Sequence, residues 1–269
     1  VLFPLPDGLR EQVDRARNPV RPRDSATVAV VRDGAEGIEA FLMRRQASMA
    51  FAAGMDVFPG GAVHDADHAP LDWIGPSAEV FAGRLGCSAE LAHALVVAAV
   101  RETFEETGVL LAGPDGAATV DAAAAEVISA REELEAHRIT FADFLRERRW
   151  AVRADLLGVW AHWITPAFEP RRYDTRFFVA ALPDGQRVGA VSAEASGARW
   201  RPLSRVLRGL ESGEARMLAP TAVTCRELAA HSAATILDAA AERTVRPIEP
   251  RLVEQDGELF LQAEGKEWL

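Results

Sequence analysis

The chain has 269 residues, a formal net charge of −10, 49% hydrophobic and 26% charged residues. These proportions suit a soluble globular fold and exclude fibrous, collagen-like and largely disordered classes, while the length suits one elaborated domain. The acidic balance argues against a general duplex-DNA binder and requires local arginines or a bound metal if the substrate is anionic.

In chain order, residues 1–24 carry Pro4, Pro6, Pro19 and Pro22 among charges and read as an irregular arm. Ala26–Val31 and Ile38–Arg45 read as two strands of a hairpin, with Asp33-Gly34-Ala35-Glu36-Gly37 between them. Met55–Phe58 is a short strand running into Pro59-Gly60-Gly61. Ala62–Cys87 mixes His, Asp, Pro, Trp and Gly without a period and reads as an insertion loop with some local helix. Ser88 caps a helix that runs to about Thr107, with Gly108 in the C′ position. Asp121–His137, capped by Asp121, and Phe141–Trp150 read as two more helices. Leu156–Ile164 and Arg172–Leu182 read as strands, Ala198–Pro202 as an edge strand, Pro220–Glu242 as alanine-rich helix, and Arg251–Gln262 as a hairpin around Asp256-Gly257.

Cys87 and Cys225 are too few for a disulfide framework and read as reduced thiols. No apolar run approaches the roughly 20 residues that span a bilayer, and the first residues lack a signal-peptide apolar stretch. The expectation is a cytoplasmic protein without membrane or nucleic-acid partners. The lone lysine, Lys266, among many arginines suggests a GC-rich, bacterial genome.

Arg101-Glu102-Thr103-Phe104-Glu105-Glu106-Thr107-Gly108-Val109 carries the chemistry. At about 100° per helical residue, Glu105 falls roughly −60° and Glu106 roughly +40° from Glu102. Three carboxylates share one arc, while Val96, Val97, Val100 and Phe104 centre on the opposite, packing side. Clustered carboxylates repel unless a divalent cation joins them, and oxygen ligands suit Mg²⁺ or Mn²⁺ with a phosphate-bearing substrate. Arg101 sits four residues before Glu105, the spacing of an ion pair that orients it. Pro59-Gly60-Gly61 upstream permits close approach of backbone to a ligand. His64 and His68 straddle Asp65 and Asp67, but no neighbouring Cys or His completes a zinc set.

Together these segments resemble a Nudix box: Gly, five residues, Glu, seven residues, then Arg-Glu-apolar-any-Glu-Glu-any-Gly-apolar. Gly61 opens it, Asp67 stands where the family has Glu, and Arg101, Glu102, Glu105, Glu106, Gly108 and Val109 match the second half. Thr103 replaces an apolar residue, and residues 68–100 stand where the family has seven, so 26 extra positions split the box. A split box of this kind resembles the peroxisomal-type coenzyme A diphosphatases and their bacterial relatives. That resemblance continues through Asp72-Trp73, Trp163-Ile164-Thr165-Pro166 and Arg172-Tyr173-Asp174-Thr175-Arg176-Phe177-Phe178. The coenzyme A signature upstream of the glycines retains Gly54 but has Ala50 at its arginine position.

The resemblance implies an α/β fold, the Nudix α/β/α sandwich with a mixed sheet, an insertion within the box at about 68–93 and a C-terminal extension. The division it suggests is an arm at 1–24, a Nudix domain at 25–209 and an extension at 210–269 that packs on the core or forms a homodimer interface. It implies a metal-dependent pyrophosphohydrolase acting on a small nucleotide, coenzyme A or acyl-coenzyme A first. The alternatives are an ADP-ribose/NADH-type pyrophosphatase and a non-catalytic nucleotide-binding module. Glu102, Glu105, Glu106 and the Gly61 carbonyl would hold Mg²⁺ or Mn²⁺, with Glu102 a ligand or the general base and Asp67 acting through water. Catalysis is expected from Glu102, Arg101 and Glu105, Arg101 orienting Glu105. Arg44, Arg45, Arg171 and Arg172 are candidate phosphate contacts. Gly60, Asp67 and Gly108 complete the box. Trp73 and Phe81 are expected in the insertion's own core, and Tyr173 and Trp163 in strand packing, ahead of base stacking.

Overall fold

A computed structural model describes residues 2–4, 19–46, 54–114, 120–189, 195–255 and 258–263. Strand β1 (Leu2–Pro4) lies within the segment expected to be irregular. Strands β2 (Arg23–Gly34) and β3 (Gly37–Arg45) form the expected hairpin, and Gly37 takes φ 96° at its turn. Two short strands follow, β4 (Asp56–Val57) and β5 (Gly60–Ala62), separated by Phe58 and Pro59. In the insertion, β6 (Trp73–Ile74) pairs with β8 (Ala151–Arg153), which also pairs with β7 (Ala112–Gly113). Strands β9 (Gly158–Ile164), β10 (Tyr173–Ala181), β11 (Ala195–Pro202) and β12 (Pro247–Ile248) join β2 and β3. The hairpin β13 (Arg251–Gln255) and β14 (Glu258–Gln262) forms as expected and holds β1; its Asp256-Gly257 tip lies outside the described residues.

The central sheet runs β11-β3-β2-β10-β9-β12, with β4 on β3 and β5 on β2. It is mixed: β10 is parallel to β2 and β12 to β9, whereas β3, β5 and β9 pair antiparallel. Strand β11 takes its expected edge position.

The helices are α1 (Ala78–Leu85), α2 (Ala89–Thr107), α3 (Ala125–Glu135), α4 (Phe141–Arg148), α5 (Leu203–Glu211), α6 (Ala219–Leu228) and α7 (Ile236–Glu242). The Ser88 side chain accepts from Leu91 N at the start of α2, and Gly108 ends it in the left-handed region at φ 75°. Asp121 does not cap α3: its Oδ1 accepts from Ala123 N in a turn, and the helix begins four residues later. The expected helix across 220–242 is two helices, because the intervening turn docks on the hairpin tip, where Asp33 Oδ1 accepts from Ala233 N at 2.9 Å.

Alternation along the strands separates two cores. Ala26, Val28 and Val30 of β2 pack with α1 to α4, including Phe81, Val96, Val100, Phe104 and Phe144. Ala29 and Val31 on the other face pack with α5 to α7 through Leu203, Val206, Leu228 and Ile236. Helices therefore cover both faces, as a sandwich requires. On the second face, residues 25, 27, 173, 175 and 177 instead line a cavity. No single helix among the described residues is long and apolar enough to cross a membrane.

Candidate active site

The cavity encloses about 830 Å³. Glu102, Glu105 and Glu106 of α2, Arg101 and the glycines of β5 line it together. Two contacts dock the helix against β5. Gly60 N donates to Glu106 Oε2 at 2.7 Å, and Arg101 Nη2 donates to the Ala62 carbonyl at 3.0 Å. At Gly61 an added Cβ would meet Glu102 Oε1 at 2.2 Å, so any side chain there would displace the Glu102 carboxylate from its place on the cavity wall.

Arg101 is 5% exposed and sits at the hub of the box. It forks onto Asp67, Nε to Oδ1 and Nη2 to Oδ2, both at 2.9 Å, and gives Nη1 to Glu102 Oε1 at 2.7 Å. Its approach to Glu105 is longer, 3.6 Å. The i,i+4 pair with Glu105 is therefore present as its spacing predicts, and the arginine's hydrogen bonds add Asp67 and Glu102 to it. Burial opposes its charge, but the Asp67 hydrogen bonds and the Glu102 and Glu105 carboxylates outweigh burial and hold its proton more tightly than usual.

Asp67 is 1% exposed, accepts from Arg101 and from His64 N, and does not line the cavity, so the expected water-mediated metal role is replaced by a positioning role. Thr103 satisfies its hydroxyl on the Ala99 carbonyl at 2.7 Å, which explains a polar residue at an apolar position of the box.

Burial pushes the Glu105 carboxyl up to about 7; Arg101 pulls it down, and Glu102, Asp67 and Glu135 push it up. This is a site with surplus negative charge. Among the described residues no three His, Cys, Asp or Glu side chains converge on one metal position, because Arg101 engages Glu102 and the Gly60 amide engages Glu106. The donor chemistry nonetheless fits a hard divalent cation: carboxylate oxygens on one wall, with repulsion that a cation relieves.

The four candidate phosphate arginines separate. Arg45 lines the cavity; Arg44, Arg171 and Arg172 do not. Arg44 pairs with Asp56 at 2.9 Å, and Asp56 also pairs with Arg201 at 2.6 Å. Arg172 is 8% exposed, donates to the carbonyls of Thr165 and Val20, and also holds Glu249, so it ties the β9–β10 loop to flanking segments. Ala50 lies outside the described residues.

Trp73 and Phe81 pack edge to face, but not in a core of the insertion's own: Phe81 also meets Phe178 of β10 in the core under the central sheet, and Trp73 stacks on His93 at 5.2 Å. Tyr173 and Trp163 both line the cavity in addition to packing in the sheet. Sequence reasoning missed Arg131, whose Nε and Nη2 donate to the Glu105 carbonyl at 2.9 and 2.6 Å, clamping the last turn of α2. It also missed Glu135, His137 and Glu169 on the cavity wall; burial raises the Glu169 carboxyl. No local motif marks these residues.

A mixed sheet between helical layers, with an acidic helix docked on a glycine strand, defines a Nudix-type α/β fold. The family described as the NUDT19 Nudix domain matches residues 84–226, and the chain belongs to that family. It is 24% identical over 210 residues to the acyl-coenzyme A diphosphatase NUDT19 of Xenopus laevis, covering 65% of this chain and 55% of that protein. It is 28% identical over 189 residues to the corresponding Gallus gallus protein, covering 54% of this chain and 48% of that one. The chain thus spans about half the length of these curated relatives. A NUDIX hydrolase structure from Alicyclobacillus acidocaldarius superposes with a TM-score of 0.60 at 28% identity, covering 85% of this chain and 99% of that one.

Proposed function

We propose that this chain is a divalent-metal-dependent hydrolase of a nucleoside diphosphate linked to a second moiety, with coenzyme A or acyl-coenzyme A as the substrate. The observation that carries the reading is one cavity joining three box glutamates to a wall containing Phe58, Phe177, Leu218 and Leu261. A diphosphate needs charge compensation, and an acyl-pantetheine chain needs apolar surface. The names of the frog and chicken relatives point the same way.

Glu102, Glu105 and Glu106 would hold Mg²⁺ or Mn²⁺, with Gly61 close by. The bound ion would offset phosphate charge and lower the pKa of the attacking water. Arg101 holds Glu102 in place, and the Gly60 amide holds Glu106. Arg45, which lines the cavity, would meet phosphate oxygens. Either Glu102 or Glu105 takes the proton of the water as it attacks phosphorus and the bridging P–O bond breaks. With coenzyme A the products are 4′-phosphopantetheine and adenosine 3′,5′-bisphosphate. Retention of all three glutamates favours catalysis over passive nucleotide binding.

The test is hydrolysis of coenzyme A, acetyl-coenzyme A, ADP-ribose and NADH, with Mg²⁺ or Mn²⁺ and with chelator, products separated by chromatography. Metal-dependent release of adenosine 3′,5′-bisphosphate from coenzyme A is the expected result. Cleavage of ADP-ribose or NADH alone would keep the hydrolase and retire the coenzyme A substrate. No cleavage with metal present would retire the enzyme in favour of a nucleotide-binding module.

A further inference from the structure

The last turn of α2 is closed from outside the helix. Val109 N, which would continue the helix by bonding the Glu105 carbonyl, donates instead to Thr107 Oγ1 at 3.0 Å, and Gly108 turns the chain away at φ 75°. Two other carbonyls of that turn find backbone donors: Phe104 O accepts from Gly108 N at 2.8 Å, and Thr107 O from Gly189 N at 2.9 Å. The Glu105 carbonyl is taken by a side chain. Arg131 forks onto it, Nε at 2.9 Å and Nη2 at 2.6 Å. Helix-end carbonyls lack intrahelical donors and carry the negative end of the helix dipole, so a forked cation suits this one.

Arg131 is itself firmly seated. It is 8% exposed, and its helix α3 shares a core with Val100 and Phe104 of α2 through Val127, Ala130 and Leu134. Its Nε also lies 3.1 Å from Glu135 Oε1, and Glu135 lines the cavity. A Cβ added at Gly108 would meet its Nη1 at 3.2 Å. Glu105 is thus gripped by an arginine at each end: its carboxylate is 3.6 Å from Arg101, and its carbonyl lies under the Arg131 fork. Glu106 follows in the same turn, with Oε2 on the Gly60 amide. The carboxylates of residues 105 and 106 can be no better placed than the backbone that carries them.

We propose that Arg131 is a positioning residue for the reaction: its fork on the Glu105 carbonyl fixes the last turn of α2, and with it the Glu105 and Glu106 carboxylates, for the divalent cation. It touches neither substrate nor metal and acts through the helix backbone. The inference rests on the proposed metal-dependent hydrolysis and deepens it.

The test sets Arg131→Lys, which keeps the charge and gives up the fork, against Val127→Ala, which thins the packing of the same helix and keeps the fork. Calorimetry with Mn²⁺ alone, steady-state kinetics with coenzyme A at saturating Mn²⁺, and denaturant titration are run on both. Arg131→Lys should bind Mn²⁺ roughly fivefold more weakly and lower kcat roughly tenfold to a hundredfold with KM unchanged, the cost of catalytic groups displaced by about an ångström. Val127→Ala should lower the denaturation midpoint and leave Mn²⁺ affinity and kcat as they are. Unchanged Mn²⁺ affinity in Arg131→Lys, or equal weakening in both variants, would overturn the proposal and leave Arg131 a structural tie. If Arg131→Lys does not fold, Arg131→Gln, which keeps an N–H for the carbonyl, is read the same way; failure of both to fold also overturns it. The two readings fail separately. Mn²⁺ binding weakened by Arg131→Lys, with no cleavage by the unsubstituted chain, would sink the hydrolase reading and support this one. Metal-dependent cleavage that Arg131→Lys leaves untouched would do the reverse.

Discussion

The glutamate wall of the cavity and the Trp163 wall solve different problems. On the first, the polar contacts come from residues close in sequence or in the box pattern: Arg101 on Asp67 and Glu102, the Gly60 amide on Glu106. On the second, residues 163, 164, 250 and 261 meet only through folding. The first wall is wired to hold charge. The second is built from apolar side chains. Buried charge must be paired within the chain, whereas apolar side chains need only be covered.

The sharpest way to break the first wall is Arg101→Met. It leaves Asp67 buried opposite an apolar group and should cost about 3–5 kcal/mol of stability. Denaturant titration reads this as a lower midpoint; an unchanged midpoint would mean that Arg101 does not hold the box together. Next, Glu106→Gln keeps an oxygen for the Gly60 amide but removes charge. Turnover should fall at least about a hundredfold, roughly 2.7 kcal/mol of barrier, with a cooperative melt retained. Near-normal turnover would remove Glu106 from the metal set.

A smaller effect is expected from Arg44→Ala. Arg201 still pairs with Asp56, so the loss should stay within about 1 kcal/mol. KM for the diphosphate substrate should be unchanged; a large rise would return Arg44 to phosphate binding. The mildest test is a control at a residue that does not itself line the cavity. Asp174 is half-buried: burial opposes its charge, but His162 and Arg176 outweigh burial and hold its carboxyl below the ordinary 3.8. A depressed folded-state value means its contribution is full above the ordinary value and is lost as pH falls through the depressed one. Asp174→Asn should therefore flatten the acid limb of the stability curve near and below pH 4 and leave neutral-pH turnover intact. An unchanged acid limb would show that the pair contributes nothing.

What the residues announced and what they withheld follows the same division. The hairpin, the helix from Ser88 to Thr107 with Gly108 behind it, and the shared face of Glu102, Glu105 and Glu106 rest on local periodicity, caps and turn residues. Asp67 matched the box pattern, yet its role needed the structure, because only depth shows that both its oxygens are taken by Arg101. Arg172 looked like a phosphate contact and is a structural tie, because an arginine's partners lie wherever the fold brings carbonyls and carboxylates. The helix at 203–211 and the break between α6 and α7 escaped the sequence reading, the latter set by the distant hairpin tip.

The sequence by itself determined the glycine pair, the acidic helix and the chemistry they share, because helical rotation and glycine's small size act within a few residues. The tertiary structure alone decided that Arg45 reaches the cavity while Arg171 does not, and that Trp163 stands on the cavity wall three strands from the glycines. Sheet register and burial are properties of strands far apart in the chain, and no local pattern encodes them.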